Sequence, residues 1–318
     1  DAPCTFSLWH LRCIPAVPVT ASVQDVSLPS EEKVAASEKK VREAAKWNPI
    51  HLNLEAFESR PFSDEVLDLV RQVRVPFRGD RSIREEVPQY PWKEASHRVL
   101  AIREMERMIS CGALVPAQEW EVCKISCWVV VVKGGKTRCC LDLSKLVNPH
   151  VPSVPFSLPR FHTIGRFAKE GTWLMCYDLR DFFFSLTIAE EDRELFGVRH
   201  PWTGSPCRCA RVPFGYIEAP HVCCAVSEGV AKLLREMGID CEVFVDDFCL
   251  GGFATPEEAE AAGEVFEKLM LELGFQWAPH KKVGPSQRVL FLGIEIDTRP
   301  GHACYRLPVS KLTAILAD

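Results

Sequence analysis

Apolar and polar positions fall into alternating helical and strand-like periods from about residue 92 onward. Between Glu94 and Cys111, Val99, Ile102, Met105 and Ile109 recur at helical spacing, which predicts an amphipathic helix that Gly112 ends with a left-handed cap. Trp128 to Lys133 is a continuous valine strand and Lys136 to Leu143 returns, so Gly134-Gly135 reads as a two-residue hairpin turn. Thr172 to Tyr177 reads as a buried strand that delivers Asp178. A helix is predicted from about Pro220 to Met237. A strand over Cys241 to Val245 then reaches Asp246-Asp247, and Phe248 to Gly251 pairs back. Thr255 caps a helix through about Leu273, and Arg288 to Ile296 reads as one last strand. Before residue 92 the pattern is weaker. Asp1 to Ser30 has no period and reads as a poorly ordered leader. Ser30 opens a helix to about Trp47 that is rich in Lys, Glu and Ala and reads as a solvated surface element. Ser63 caps a short helix with Val66, Leu67 and Val70 on one side. The stretch from Arg74 to Pro91, where Arg74, Arg78, Arg81 and Arg84 interleave with Asp80, Glu85 and Glu86, reads as a loop.

Composition narrows the class without naming a function. The 318 residues are 47% hydrophobic and 25% charged, the balance of a globular chain. No run of eighteen apolar residues reads as a membrane span. The formal net charge of -5 provides no global basic field, so a nucleic-acid partner has to be argued from a local site. Fifteen cysteines, an odd number, read as reduced thiols in an intracellular protein of the cytoplasm or nucleus, not a secreted one. Cys207-x-Cys209 with nearby His200 and His221 lacks the spacing of a structural zinc knuckle, and Cys123-x₃-Cys127, whose spacing fits slightly better, lacks a nearby second pair.

The acids carry the chemistry. Asp246-Asp247 lies at the tip of a hairpin with apolar flanks, where the pair repels itself and gains nothing from packing. Asp178 ends another apolar strand, Trp173 to Tyr177. Converging carboxylates need cations, and hard oxygen ligands with open positions suit Mg²⁺. Two such ions about 4 Å apart form a clamp for phosphoryl chemistry.

In order along the chain, seven motifs then resemble the reverse transcriptase domain of retroelements, of the Ty3/gypsy or DIRS-like kind, from about Glu104 to Asp297. Met105 to Pro116 resembles the entry to the fingers, and Val129 to Leu146 the fingers hairpin. Tyr177-Asp178-Leu179-Arg180-Asp181-Phe182-Phe183-Phe184 resembles motif A, and Val212-Pro213-Phe214-Gly215 to Pro220 motif B. Phe244-Val245-Asp246-Asp247 resembles motif C, Ala278-Pro279-His280-Lys281-Lys282 motif D, and Phe291-Leu292-Gly293-Ile294 the primer grip.

The resemblance implies an α/β (α+β) fold: a ferredoxin-like polymerase palm with a fingers subdomain, in a right-hand architecture that lacks a complete thumb. It divides the chain into an N-terminal extension over 1–91, partly disordered with short helices, and a fingers-type unit over 92–171 whose segments can interleave with the palm. The palm spans 172–297, and 298–318 is the truncated start of a thumb or connection. The implied activity is RNA-directed DNA polymerisation from a primer on an RNA or DNA template, with deoxynucleoside triphosphates and two Mg²⁺ ions, or Mn²⁺ in their place. Further domains of a retroelement polyprotein are implied partners. The alternative is an inactive or domesticated relic that binds nucleic acid or a protein. By the same resemblance Asp178 and Asp246 are the main metal ligands and Asp247 a secondary one. Lys133 and Arg138 hold the triphosphate beside the backbone of Arg180, Asp181 and Phe182. Phe183 is the steric gate under the sugar, Phe214 and Gly215 border the nucleotide, and Lys281 or Lys282 is the proton donor. Phe291, Leu292 and Gly293 form the primer grip. Phe182 departs from the family, which has a small residue there.

Overall fold

The computed structural model describes residues 51–133, 136–155, 161–309, 311 and 313. The expected leader, the helix from Ser30 to Trp47 and the Gly134-Gly135 turn lie outside them. In chain order come α1 (Leu54–Glu58), α2 (Asp64–Arg71), β1 (Glu85–Glu86), α3 (Ala95–Ser110), β2 (Leu114–Pro116), β3 (Lys124–Lys133), β4 (Lys136–Asp142) and β5 (Trp173–Asp178). Then follow α4 (Phe182–Ser185), β6 (Gly197–Arg199), β7 (Pro206–Cys209), α5 (Ala219–Glu236), β8 (Cys241–Phe244), β9 (Asp247–Phe253) and α6 (Pro256–Leu273). The last described elements are β10 (Val283–Ser286), β11 (Arg288–Phe291), β12 (Ile294–Asp297) and β13 (Cys304–Arg306).

Residues 51–91 are built into the core rather than appended to it. Asn53 and Ser63 cap α1 and α2 by accepting from the Ala56 and Val66 amides. Phe57, Val66 and Val70 are buried, and the Phe57 ring lies 6.0 Å from Phe275. Three arginines of the following segment are tied to acids of the fold: Arg74 with Glu191 at 2.8 Å and Arg84 with Glu119 at the surface, and Arg81 with the buried Asp192 and with Glu194.

The apolar stripe of α3 differs from the expected one. Ala101, Met105 and Met108, at i, i+4 and i+7, are buried with Ile102, whereas Val99 sits off the stripe and is exposed. Behind the helix, Gly112 takes φ 73° as its cap. The first sheet runs β1-β3-β6-β7-β2, with β4 paired to β3. The long β3 serves three partners. Its start pairs in parallel with β1 and β6, and the remainder forms an antiparallel hairpin with β4, from Cys127 opposite Asp142 to Lys133 opposite Lys136.

The second sheet, β10-β5-β9-β8, positions the acids. Alternation along its strands separates two cores. Met175, Tyr177, Phe248 and Leu250 join the main core with α5 and α6, while Leu174, Cys176 and Cys249 meet Phe167, Val289, Phe291 and Ile296 on the other face. As expected, α6 is capped by Thr255, whose hydroxyl accepts from the Glu258 amide at 3.2 Å.

The stretch from Arg288 to Ile296 is a hairpin, not one strand. Leu292 and Gly293 both take positive φ, 51° and 72°. Two such residues in succession make the turn whose twist matches antiparallel strands, and the apolar run hides that break. β13 adds a third strand, Ile296 opposite Tyr305, so residues 304–306 complete this sheet. Among the described residues no helix is long and apolar enough to cross a membrane.

Candidate active site

Register brings the acids together. In the antiparallel pair β5–β9, Asp178 lies directly opposite Asp247, and in β8–β9 Phe244 lies opposite Asp247. Val245 and Asp246 are therefore the two residues of a tight turn, and the Asp246 carbonyl accepts from the Leu179 amide at 2.8 Å. Val245 has φ 58°, a region that β-branched residues rarely enter. The turn thus holds strain of the kind that surrounding structure must enforce.

The electrostatics agree with this crowding. Burial first, then the charge of Asp178, pushes the Asp246 carboxyl up, against the opposing pull of Lys281 and Arg138. Burial followed by the charges of Asp246 and Asp178 pushes Asp247 up to about 6. Lys281 Nζ donates to both Asp178 oxygens, at 2.7 Å each. It stands in a short turn over Pro279–Lys281, whose base is tied to the site because the Ala278 amide donates to the Asp178 carbonyl at 2.9 Å. Lys282 points elsewhere, to Glu267 at 2.6 Å and over the Tyr177 ring.

Among the described residues no group of three or more His, Cys, Asp or Glu side chains is arranged as a ready metal cage. The donor set nonetheless fits magnesium, which binds through one or two carboxylates and keeps water or phosphate oxygens as its other ligands. Carboxylates raised by burial and by one another's charge are also what a divalent ion would relieve.

Around the acids, the other expected residues sort by geometry. Arg138 is exposed on β4, opposite Val131. The side chain of Lys133 lies outside the described residues. Arg180 is exposed, and its amide donates to the Gln276 carbonyl at 2.7 Å. Asp181 takes φ 50° and turns its carboxylate toward Arg107, 2.7 Å away. Phe182 is buried against Phe275, with ring centroids 5.5 Å apart, so its bulk fills the palm core. Phe183 is half-buried and stacks on Phe214 at 4.9 Å.

Gly215 makes a close approach to β4. At its φ of 108° an added Cβ would lie 2.1 Å from the Leu141 carbonyl oxygen, and the Leu141 amide donates to the Phe214 carbonyl at 3.1 Å. The glycine thus docks motif B on β4. Asn148, which sequence reasoning passed over, locks the same loop: its side chain donates to the Gly215 carbonyl and accepts from the Ile217 amide. Phe291 is buried beneath the face of the second sheet that carries Leu174 and Cys176, with Leu292 and Gly293 as its turn.

The family model described as reverse transcriptase (RNA-dependent DNA polymerase) matches residues 133–296, just over half of the 318. The chain belongs to the reverse transcriptase family. Within it, this reverse transcriptase domain is similar to the Gag-Pol polyproteins of Rous sarcoma virus subgroup B (strain Schmidt-Ruppin) and avian leukosis virus subgroup A (isolate RSA). Each is 28% identical over 226 residues, covering 67% of this chain and 13% of the polyprotein. The chain thus spans 13% of the length of these relatives. Its fold is similar to that of the foamy viral protease-reverse transcriptase in complex with RNA/DNA hybrid, with TM-score 0.61 and 18% identity, over 94% of this chain and 38% of the other. The same foamy viral protein in complex with dsDNA gives TM-score 0.60 and 19% identity, over 95% of this chain and 60% of the other. These neighbours establish the palm and fingers architecture of the reverse transcriptase fold.

Proposed function

We propose that the chain carries out RNA-directed DNA synthesis, adding deoxynucleotides to the 3′-end of a primer paired to an RNA or DNA template. The observation that carries this reading is the meeting of Asp178, Asp246 and Asp247 at one edge of the second sheet, with the charges of Arg138 and Lys281 acting on them. In this reading Asp178 and Asp246 hold two Mg²⁺ ions, or Mn²⁺ in their place, and Asp247 is a secondary ligand. When bound, such ions stabilise the attacking and leaving oxygens of an in-line displacement.

The chain's own groups do the rest. Arg138, and Lys133 on the facing strand, hold the triphosphate. Arginine suits that role because its planar fork binds two oxygens at once. The backbone from Arg180 to Phe182 borders the phosphates. Phe183, braced by Phe214, sets its ring under the sugar. Lys281, already at the acids, protonates the leaving pyrophosphate, and Phe291 to Gly293 hold the primer end. Phe182, buried against Phe275, is in this reading a packing residue. Further polyprotein domains on the same chain are part of this proposal.

The test is primer extension on an RNA template with Mg²⁺. Wild-type protein should extend, and Asp246→Asn, which deletes a charge and keeps the shape, should lose nearly all extension with an unchanged circular dichroism spectrum. Wild-type rates in Asp246→Asn would refute the assignment.

A further inference from the structure

The proposed steric gate stands on a short piece of structure. After Asp178 the chain leaves β5, turns through Asp181 in the left-handed region, and makes the four-residue helix α4 that carries Phe183. A helix this short holds its place only through outside contacts. One side chain supplies two of them. Arg107, near the end of α3, donates to Asp181 Oδ1 at 2.7 Å, and its guanidinium lies over the Phe184 ring, 5.2 Å from the centroid. Arg107 is itself held, because Glu104 one turn earlier takes Nε at 2.9 Å and Nη2 at 2.7 Å in a two-pronged pair. The three charged side chains are largely buried, 19% exposed for Arg107, 23% for Glu104 and 15% for Asp181. At that depth such pairs are screened far less than surface ones.

We infer that Arg107 is a positioning residue that fixes the sugar gate: it clamps the Asp181 turn from the fingers helix and so sets where the Phe183 ring stands. The chain of contacts is continuous. Arg107 covers Phe184, Phe184 meets Phe214 edge-on at 5.5 Å, and Phe214 stacks on Phe183. Asp181 thereby acts through its side chain on Arg107 as well as through the backbone role assigned above. The metal ligands do not depend on this clamp, because Asp178 is held by its register with Asp247. Loss of Arg107 therefore releases the gate while the reacting oxygens stay in place. The inference rests on the polymerase reading and on Phe183 as the gate.

The experiment is steady-state primer extension with deoxy- and ribonucleotides supplied separately, using wild type, Arg107→Gln, Arg107→Lys and Asp181→Asn. Arg107→Gln should raise KM for the deoxynucleotide and lower deoxy-over-ribo selectivity by about ten- to a hundredfold, the range reached by small misplacements of positioning groups, with kcat within about twofold. Arg107→Lys should fall between, since one ammonium replaces Arg107's fork but cannot reproduce its paired contacts. Asp181→Asn should shift selectivity in the same direction as Arg107→Gln but less, because the Arg107 contact with Phe184 stays, and the double variant should be no worse than Arg107→Gln alone. Unchanged selectivity, or a loss confined to kcat, overturns the role of Arg107. If Arg107→Gln melts early, the near-isosteric Asp181→Asn decides the same question. Absence of extension by wild type overturns the polymerase reading and this inference with it. Extension with unaltered selectivity in the variants overturns the inference alone.

Discussion

Replacing Gly215 by alanine should separate the fingers hairpin from motif B. The new Cβ would stand 2.1 Å from the Leu141 carbonyl oxygen and 3.2 Å from its carbon, which are backbone atoms in a paired strand and cannot swing aside. Relief requires the loop to withdraw from β4. That breaks the bond from the Leu141 amide to the Phe214 carbonyl, and it pulls against both bonds of Asn148. Alanine at φ 108° adds a conformational cost of its own. Taking about 1 kcal/mol for each of the one to three hydrogen bonds lost and about 1–2 kcal/mol for the backbone, the destabilisation is about 2–5 kcal/mol. Equilibrium urea unfolding followed by circular dichroism reads this as a lowered midpoint at constant slope. The reasoning also requires the damage to be local to the hairpin. Amide exchange should therefore quicken at Leu141 and Ile217 before it does at Leu250. A midpoint shift worth less than about 1 kcal/mol would show that the loop accommodates a side chain, and that Gly215 is needed for something other than docking on β4.

Phe182→Ala should cost about 3–5 kcal/mol in urea unfolding, the usual range for a buried ring, and leave sugar choice alone. Phe183→Ala should admit ribonucleotides in primer extension; the opposite assignment of effects would move the gate by one residue. Lys281→Ala should slow single-turnover nucleotide addition far more than Lys282→Ala, whose ammonium is engaged by Glu267; a larger loss in Lys282→Ala would refute the proton-donor assignment. In chelator, Asp247 ionises near 6 in the folded chain instead of near 3.8, so the fold keeps a proton that the unfolded chain has released. Stability should therefore fall as pH rises from about 4 through about 6, and Asp247→Asn should flatten that fall in urea midpoints.

Local signals were legible and long-range ones were not. Thr255 as a cap, the long run of α6, the β3–β4 pairing and the delivery of Asp178 by an apolar strand are each encoded within a few residues, and each stands where periodicity put it. The convergence of Asp178 with Asp246 and Asp247 was legible only because apolar flanks around unpaired acids violate packing economy on both strands. The turn at Leu292 was hidden, since a leucine at positive φ carries no turn signature. Val245 was hidden for the same reason. Arg107 gave only its i−3 partner Glu104; the contact with Asp181 spans 74 positions, and neither residue's neighbourhood announces it. On α3 spacing alone reached one position too far: Ile102 and Met105 are buried and Ile109 packs against the core as expected, and only Val99 falls outside.

The way the first sheet is threaded fixes when the protein can fold. β2 reaches β3 only through β7 and β6, which lie some eighty residues later in the chain, and between them runs β5, whose own partner β9 is later still. A ribosome that has released β2 has made nothing for it to pair with. The first sheet cannot close until Cys209 has emerged, and the second waits for β9 and β10, so β5 stays unpaired while the first sheet forms around it, and both sheets have high contact order. Fingers and palm strands feed one main hydrophobic core, and their assembly is interleaved. A cut anywhere between β4 and β6 leaves each piece with a sheet edge that only the other can cover.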